Sequence, residues 1–217
     1  MINKRLKPID IIEKSRELYN KYPKKYINYI KYIKKQVDNP LSSIDIQKIL
    51  NGKVKVLLYP EIVDYYSIDE LLYPYDKVVI LYMHNKLVNG FYGHWCCIFK
   101  INNKEIEFFD PYGIFPDDQL NTSMNEHFRI ENGLEYPLLT YLLYYTSHNY
   151  KLSYNHIKFQ GEDSSTCGRH CCWRLKFSDR SLNSYKDMLD YDKSFKILDL
   201  KSNYDNIVTI FTDYLLK

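Results

Sequence analysis

The chain has 217 residues, 45% of them hydrophobic, and a net charge of +3 at pH 7, which suits one ordinary domain with a hydrophobic core. Its five cysteines occur in two clusters, an odd set that excludes a spread disulfide framework and indicates a reducing compartment. The longest nearly apolar run, 136–145, is too short to cross a bilayer, and the first residues lack the apolar core of a signal peptide, so no membrane partner is expected.

Positive charge is concentrated in the first quarter of the chain. Residues 1–55 contain 14 lysine or arginine residues and 5 acidic ones, a net charge of +9, so the remaining 162 residues carry −6. We find no repeat, low-complexity segment or Gly/Ser-rich linker in the sequence. We therefore expect a basic, mainly helical N-terminal extension over 1–55 and one compact domain over 56–217.

Four lysines of the helix predicted over 23–37 lie among tyrosines, a mixture that suits phosphate contact and base stacking. These lysines are Lys24, Lys25, Lys34 and Lys35. The apolar residues of the segment recur at helical spacing, which equally predicts that the rings pack inward while the lysines face water. The sequence leaves nucleic-acid contact and a solvated helix face as alternatives.

Strand and helix patterns follow one another along the rest of the chain. A second helix is expected to be capped by Ser42 or Ser43 and to end at Asn51-Gly52. Strands are predicted at 54–58 and 77–82, in a hairpin over 94–110, and at 151–159, and helices at 137–147, 167–177, 182–190 and 203–216. This order predicts an α+β fold with a mixed central sheet flanked by helices.

The predicted hairpin carries a histidine and an acid at its two ends. His94 opens the run HWCCIFKI and Asp110 closes the run KEIEFFD, with Asn102-Asn103 between the two. A two-residue loop would pair Trp95 with Asp110 and put the acid on the face opposite to the histidine. An odd loop would instead set His94 directly opposite Asp110 on one face. We predict the odd loop or a β-bulge.

Cys167 begins the helix predicted over 167–177 and has the features of a nucleophile. Only a thiolate attacks a carbonyl well, and a helix N-terminus or a neighbouring imidazole stabilises that form. Ser164, Ser165 and Thr166 form a polar run that predicts a helix cap just before the cysteine. The sequence therefore places Cys167 in the first turn of a helix.

Four elements of the sequence, in this order, resemble the adenovirus-type cysteine proteases (adenains) and their Ulp1-like relatives that act on SUMO. These elements are Gly93-His94-Trp95, Phe109-Asp110-Pro111-Tyr112-Gly113, Gln160-Gly161, and Cys167-Gly168 followed by Cys171-Cys172. The order histidine, acid, glutamine, cysteine is that of this group and reverses the order of papain-like enzymes. The resemblance spans about residues 90–177.

By this resemblance the chain is a thiol protease with an Ulp1-like or adenain-like fold, its catalytic domain over 56–217 and its nucleophile at a helix N-terminus. Cys167 is expected to be the nucleophile and His94 the general base. Asp110 is expected to orient the imidazole, and Gln160 to donate to the oxyanion.

The resemblance also implies that Gly93, Trp95 and Gly168 contact the substrate. Trp95 has an alternative role, because a strand tryptophan packed on a core gives the same pattern. Substrates are expected to be viral capsid or core precursors cut near glycine, in the virion or the host cytoplasm. Heavy use of Lys, Ile, Asn and Tyr, with 23 tyrosines, is typical of an AT-rich genome such as that of a large DNA virus or its virophage.

Two departures from the adenain pattern concern the acid and the cofactor. Asp110 stands where the adenoviral enzyme usually has glutamate. The SUMO-protease relatives have aspartate at this position, as this chain does. No cysteine lies between Asp110 and Gln160, so a disulfide-linked activating peptide is not expected there. The sequence requires no cofactor, and a DNA or peptide activator is expected by analogy alone.

Three other interpretations stay open. A ubiquitin-like or SUMO-like isopeptidase would use the same residues, and a DNA-binding virion protein could keep the fold without the chemistry. A zinc or redox module built from His94, His170 and the cysteines has no standard ligand spacing, so no metal is expected. His170 is expected at the surface rather than as a rival base, the four other cysteines in the core, and His84 in a structural or exposed position.

Overall fold

The computed structural model describes residues 23–87, 90–122, 124–194 and 204–216. The first 22 residues of the predicted basic extension lie outside this part of the chain. Within it, the strands are β1 (Lys55–Leu58), β2 (Lys77–Leu87), β3 (Gly90–Asn102), β4 (Glu105–Phe109) and β5 (Lys151–Tyr154). The α-helices are α1 (Pro23–Val37), α2 (Ser43–Ile49), α3 (Ile68–Leu72), α4 (Asp118–Thr122), α5 (Glu126–Glu131), α6 (Leu138–Thr146), α7 (Cys167–Lys176), α8 (Leu182–Ser194) and α9 (Tyr204–Leu216), and a 3-10 helix spans Tyr59–Asp64.

The five strands form one sheet in the order β1-β2-β3-β4-β5. The two outer pairs, β1 with β2 and β4 with β5, are parallel, whereas β2, β3 and β4 are antiparallel neighbours. Helices pack against this mixed sheet, so the α+β prediction with a mixed central sheet flanked by helices is confirmed. No helix of the described ranges is both long enough and apolar enough to span a bilayer.

The predicted strand over 151–159 was too long, because β5 ends at Tyr154. The next side chain, Asn155, is buried and bonds twice to the backbone of Asp110: its Oδ1 accepts the Asp110 N–H at 2.7 Å, and its Nδ2 donates to the Asp110 carbonyl at 2.7 Å. The chain then leaves the sheet beside the end of β4. These two bonds fix the backbone of the residue that the sequence identifies as the acid.

Helix α7 is central to the helical layer. It packs on β3 and on α9, and α9 also contacts α1, α2 and α8. Arg174 of α7 donates through Nε and a terminal nitrogen to both carboxylate oxygens of Glu107 on β4, each at 2.7 Å. Both side chains of this bidentate pair are buried, so α7 is held in one position over the sheet.

The predicted domain boundary near residue 55 does not coincide with a break in the packing. Ile33, Leu41 and Ile46 are buried in the same core as the sheet residues. The second helix begins as predicted, since Ser42 caps α2 in a capping box with Asp45. From α1 onward the described part of the chain therefore packs as one unit around the sheet.

Candidate active site

A β-bulge sets the face on which the acid of the hairpin lies. The β3–β4 register shifts between Lys100 and Asn102, and Cys97 pairs with Phe109. Continuing that register by one residue places Asp110 across from Cys96, which is two residues from His94 along β3. Histidine and acid thus share one face, as the predicted bulge requires, but they are diagonal neighbours rather than directly opposite.

His94 and Asp110 form a buried pair. His94 Nε2 lies 2.9 Å from Asp110 Oδ2, and the two residues are 3% and 0% exposed. The second carboxylate oxygen, Oδ1, accepts the N–H of Tyr112 at 2.7 Å. The acid is therefore held by its backbone and by both of its oxygens, so it fixes which imidazole nitrogen faces away from it.

Tyr112 was not assigned to the site from the sequence, yet its ring covers the imidazole. The Tyr112 and His94 rings stack with centroids 4.9 Å apart and planes 19° apart. Burial raises the pKa of Tyr112 to about 12, with further contributions from the charges of Cys167, Tyr92 and Asp110. The phenol is therefore neutral at physiological pH and acts as a fixed wall for the histidine ring.

The imidazole of His94 stays protonated well above neutral pH. Burial alone lowers the pKa of His94, but the charge and hydrogen bond of Asp110, with those of Cys167, raise it to about 10. Because Nε2 is occupied by Asp110, Nδ1 is the ring nitrogen that remains for another group. His94 therefore places a positive charge beside Cys167.

Cys167 is the first residue of α7, as predicted, but the predicted cap is absent. Thr166 occupies the N-cap position without capping the helix through its side chain, and its hydroxyl donates to Asp205 instead. No side chain of the described residues therefore covers the first N–H groups of α7. These groups and the helix dipole favour negative charge at the position of the cysteine.

Gln160 is anchored to the turn that follows the acid. The backbone N–H groups of Phe159 and Gln160 both donate to the carbonyl of Pro111, at 2.9 and 3.0 Å. The side-chain Nε2 of Gln160 donates to the carbonyl of Ser164 at 2.8 Å. Since a carboxamide nitrogen carries two N–H bonds, the second remains for a group in the cleft.

Cys167 is only 5% exposed and lines a cleft of about 400 Å³. Its lining residues are Pro40, His84, Tyr92, Gly93, His94, Tyr112, Ile114, Gln119, Gln160, Ser164, Ser165 and Cys167. Three of the four predicted catalytic residues thus line one cavity, and Asp110 lies directly behind His94. A Cβ atom at Gly93 would lie 1.9 Å from the Tyr82 carbonyl oxygen, so only glycine fits at that part of the wall.

Trp95 and Gly168 do not line this cleft. Trp95 is buried, and its Nε1 donates to the carbonyl of Leu41 at 3.1 Å. A Cβ at Gly168 would lie 3.1 Å from the Trp95 ring, so the glycine lets α7 approach the tryptophan closely. The two residues therefore have a packing role behind Cys167, which is the alternative considered for Trp95. The prediction that they contact substrate gains no support.

His84 lines the cleft, although the sequence analysis expected it in a structural or exposed position. Met83 pairs with Gly93 and Asn85 with Tyr92, so His84 is the extra residue of a bulge in β2, a feature that re-aims a side chain. Burial and then the charge of His94 lower the pKa of His84, against a hydrogen bond from Gln119 that raises it. No motif or spacing in the sequence signals this position.

The prediction that His170 lies at the surface was wrong. His170 is fully buried, and its Nε2 lies 2.9 Å from Asp205 Oδ1. The pair explains the burial, since a buried histidine needs a partner for its N–H groups. His94 rather than His170 lines the cleft together with Cys167.

The other four cysteines are buried, as expected. Burial raises the pKa of Cys96, Cys171 and Cys172, so these thiols stay protonated, and none of the four lines the cleft. Within the described ranges no group of three or more His, Cys, Asp or Glu residues is arranged to hold a metal ion.

The four predicted nucleic-acid lysines, Lys24, Lys25, Lys34 and Lys35, are all exposed on α1. Of the neighbouring tyrosines, Tyr29 is half-buried, whereas Tyr32 is 37% exposed and its hydroxyl donates to Asp213 at 2.6 Å. The positions of residue 22 and of the Tyr26 side chain lie outside the described structure. The exposure of the lysines fits both alternatives, phosphate contact and a solvated face, whereas Tyr29 is placed for packing.

Comparison with known proteins gives a viral relative. No protein-family model matches the chain. The chain is 38% identical over 174 residues to the "uncharacterized protein V9" of Sputnik virophage, a match that covers 79% of this chain and 93% of the relative. The match supports the viral, virophage-type origin that the residue usage suggests.

Proposed function

Because the chain belongs to the family of the Sputnik virophage protein V9, we propose that it is a viral cysteine endopeptidase of the adenain-like or Ulp1-like type. One observation carries the proposal: the His94 ring is hydrogen-bonded to the buried Asp110, and His94 and Cys167 line the same cleft. The four proposed catalytic residues come from four separate segments of the chain: β3, the end of β4, the turn before α7, and α7 itself. Neither packing nor stability requires a buried imidazolium beside a cysteine at a cavity, and nucleophilic catalysis does.

The first half of the proposed reaction forms an acyl-enzyme. The Cys167 thiolate attacks the carbonyl carbon of the scissile peptide bond and forms a C–S bond. The carbonyl oxygen becomes an oxyanion, which accepts hydrogen bonds from the second N–H of Gln160 and from the backbone N–H of Cys167. As the C–N bond breaks, His94 gives its Nδ1 proton to the departing amine, and the thioester remains on the sulfur.

The second half releases the acyl group with water. Neutral His94 takes a proton from a water molecule in the cleft, and the resulting hydroxide attacks the thioester carbonyl. The C–S bond breaks, the sulfur leaves as thiolate, and His94 keeps the proton as imidazolium. The enzyme returns to its starting ion pair, and the product is a carboxylic acid.

Viral capsid or core precursors cut near glycine are the proposed substrates, and the viral family supports this choice. A ubiquitin-like or SUMO-like isopeptidase uses the same chemistry and is the competing assignment. Offering the purified protein a capsid precursor and a ubiquitin-like fusion ending in Gly-Gly separates the two. Cleavage of the precursor alone supports the endopeptidase, and cleavage of the fusion alone replaces it by the isopeptidase.

Replacing Gln160 by alanine is expected to lower kcat for a Gly-Gly-ended peptide coumarin amide by about 10²- to 10³-fold, the usual effect of one lost oxyanion donor. KM should stay nearly constant, because the donor acts on charge that develops in the transition state. Gln119→Ala is the matched control, since that amide also lines the cleft and has no part in the proposed oxyanion site. Equal kcat in Gln160→Ala and wild type would remove the residue from the mechanism.

The proposed partners also include DNA, supported by the lysines exposed on α1. Replacing all four of these lysines by glutamine is expected to weaken binding of a 20-base-pair duplex and to reduce the slope of log Kd against log salt by roughly 0.9 for each lost phosphate contact. The matched control replaces Lys53 and Lys104, which are exposed elsewhere. An unchanged slope in the fourfold variant would show that the lysines of α1 face water and do not contact DNA.

A further inference from the structure

A second buried histidine–aspartate pair lies beneath the nucleophile. Asp205, in the first turn of α9, is 1% exposed, and its Oδ1 lies 2.9 Å from Nε2 of the fully buried His170. The Thr166 hydroxyl donates to the same oxygen. The other oxygen, Oδ2, accepts the backbone N–H of Gly161 at 3.0 Å. One carboxylate therefore holds three donors from one stretch of chain.

Each of the three donors is next to a part of the proposed machinery. Gly161 directly follows the oxyanion donor Gln160, and Thr166 directly precedes the nucleophile Cys167. His170 lies one turn further into α7. The carboxylate thus joins the two ends of the short segment 160–167 to the helix that carries the nucleophile.

Hydrogen bonds inside the segment extend this connection to the glutamine amide. The Ser164 hydroxyl donates to the Gly161 carbonyl at 3.1 Å and lies 3.1 Å from the Thr166 hydroxyl. The Ser164 carbonyl in turn accepts the Gln160 side chain at 2.8 Å. The orientation of the Gln160 amide therefore depends on the fold of a segment that Asp205 holds through Gly161 and Thr166.

Ionised Asp205 fits this role, and a neutral side chain would not. Burial raises the pKa of Asp205, but the bonds and charge of His170, with the Thr166 and Gly161 donors, outweigh it and lower the pKa overall. A carboxylate only accepts hydrogen bonds, so both oxygens match the donors around them. A Cβ at Gly161 would lie 2.9 Å from Oδ2, so the glycine permits the close approach.

We propose that Asp205 is a positioning residue that fixes the segment 160–167 so that the Gln160 side chain and the Cys167 backbone N–H converge on the oxyanion. It touches neither substrate nor sulfur and acts through Gly161, Thr166 and His170. The kinetic part of this inference rests on the proposed function. Its structural part, the ordering of the segment by α9, stands on the hydrogen bonds alone.

Asp205→Asn is the direct test, because the amide keeps the shape but replaces one accepting oxygen by a donor. Asp213→Asn is the matched control: Asp213 is also a buried acid of α9, and it accepts the hydroxyl of Tyr32, which is not part of the segment. Three readouts are compared in the full chain: kcat and KM for a Gly-Gly-ended peptide coumarin amide, alkylation of Cys167 by iodoacetamide, and amide hydrogen exchange over 160–168.

In Asp205→Asn, kcat is expected to fall about 10²-fold, the range of a lost oxyanion donor, with KM nearly constant. Alkylation should change little, since iodoacetamide needs the thiolate and no oxyanion site. Exchange over 160–168 should accelerate in Asp205→Asn and stay at the wild-type rate in Asp213→Asn. Should the amide variant fail to fold, Thr166→Val, which removes one of the three donors, is expected to give the same pattern with a smaller fall in kcat.

The proposal would be overturned if Asp205→Asn kept both the wild-type kcat and the wild-type exchange over 160–168. It would also be overturned if the variant lost kcat and alkylation equally, because that result indicates general damage. A wild-type chain that hydrolyses no substrate would refute the proposed function instead. In that case the exchange comparison still decides whether Asp205 orders the segment.

Discussion

Replacing Cys167 by alanine is expected to abolish hydrolysis of a Gly-Gly-ended peptide coumarin amide, a loss of at least about 10⁴-fold in kcat, because no other thiol lines the cleft. His94→Ala should be nearly as damaging, since the same residue supplies the charge beside the sulfur and the proton for the leaving amine. The measurement is kcat under saturating substrate, with circular dichroism to show that each variant is folded.

Cys172→Ala is the matched control for this experiment. Cys172 lies in the same helix, is fully buried and is absent from the cleft. Its removal should cost stability through the small cavity it leaves and should leave kcat within several-fold of wild type. Hydrolysis that persists in Cys167→Ala, or that is lost equally in Cys172→Ala, would contradict the assignment of the nucleophile.

Asp110→Asn is expected to lower kcat by about 10²- to 10³-fold, less than the loss of the nucleophile, because the amide no longer selects the imidazole tautomer or stabilises its charge. The buried acid makes the only described side-chain contact to His94 Nε2. Asp117→Asn is the matched control, since Asp117 is another buried acid nearby that bonds to Tyr59 and Tyr82 instead. A similar fall in kcat for both variants would indicate structural damage rather than a catalytic acid.

The same variant has a defined pH signature. The folded-state pKa of His94 is raised from 6.5 to about 10, so its ion pair contributes stability that is fully present below pH 6.5 and is lost as pH rises through 10. The difference in free energy of unfolding between wild type and Asp110→Asn should therefore be largest near pH 6 and shrink toward pH 10. The alkaline limit of kcat/KM should move to lower pH in the variant. A difference that grows with pH would contradict this account.

The sequence predicts which residues the fold brings together at the cleft better than it predicts the surroundings of those residues. Strand parity requires a bulge if His94 and Asp110 are to share a face, and the register shift after Lys100 provides one. The offset of two residues could not be predicted, because it depends on where the extra residue is inserted rather than on the alternation of side chains.

Residues that act through tertiary contacts leave no local pattern. Asn155, which follows β5, bonds to Asp110 at the end of the neighbouring strand β4. Asp205, in the last helix of the chain, bonds to Gly161 of the segment 160–167. Thr166 illustrates the same limit, because its sequence position predicts a cap while its hydroxyl donates to Asp205. Local propensity is overridden wherever a buried charge offers a stronger partner.

The central claim is that the Cys167 sulfur becomes acylated with the help of His94. A Gly-Gly-ended peptide vinyl sulfone, whose alkene adds the thiolate and leaves a stable thioether, tests the attack by this sulfur directly when the adducts are mapped by mass spectrometry. We predict one adduct per chain, on Cys167, and none in His94→Ala under the same conditions. Adducts spread over the other cysteines, or equal labelling of Cys167 in the wild type and in His94→Ala, would contradict it.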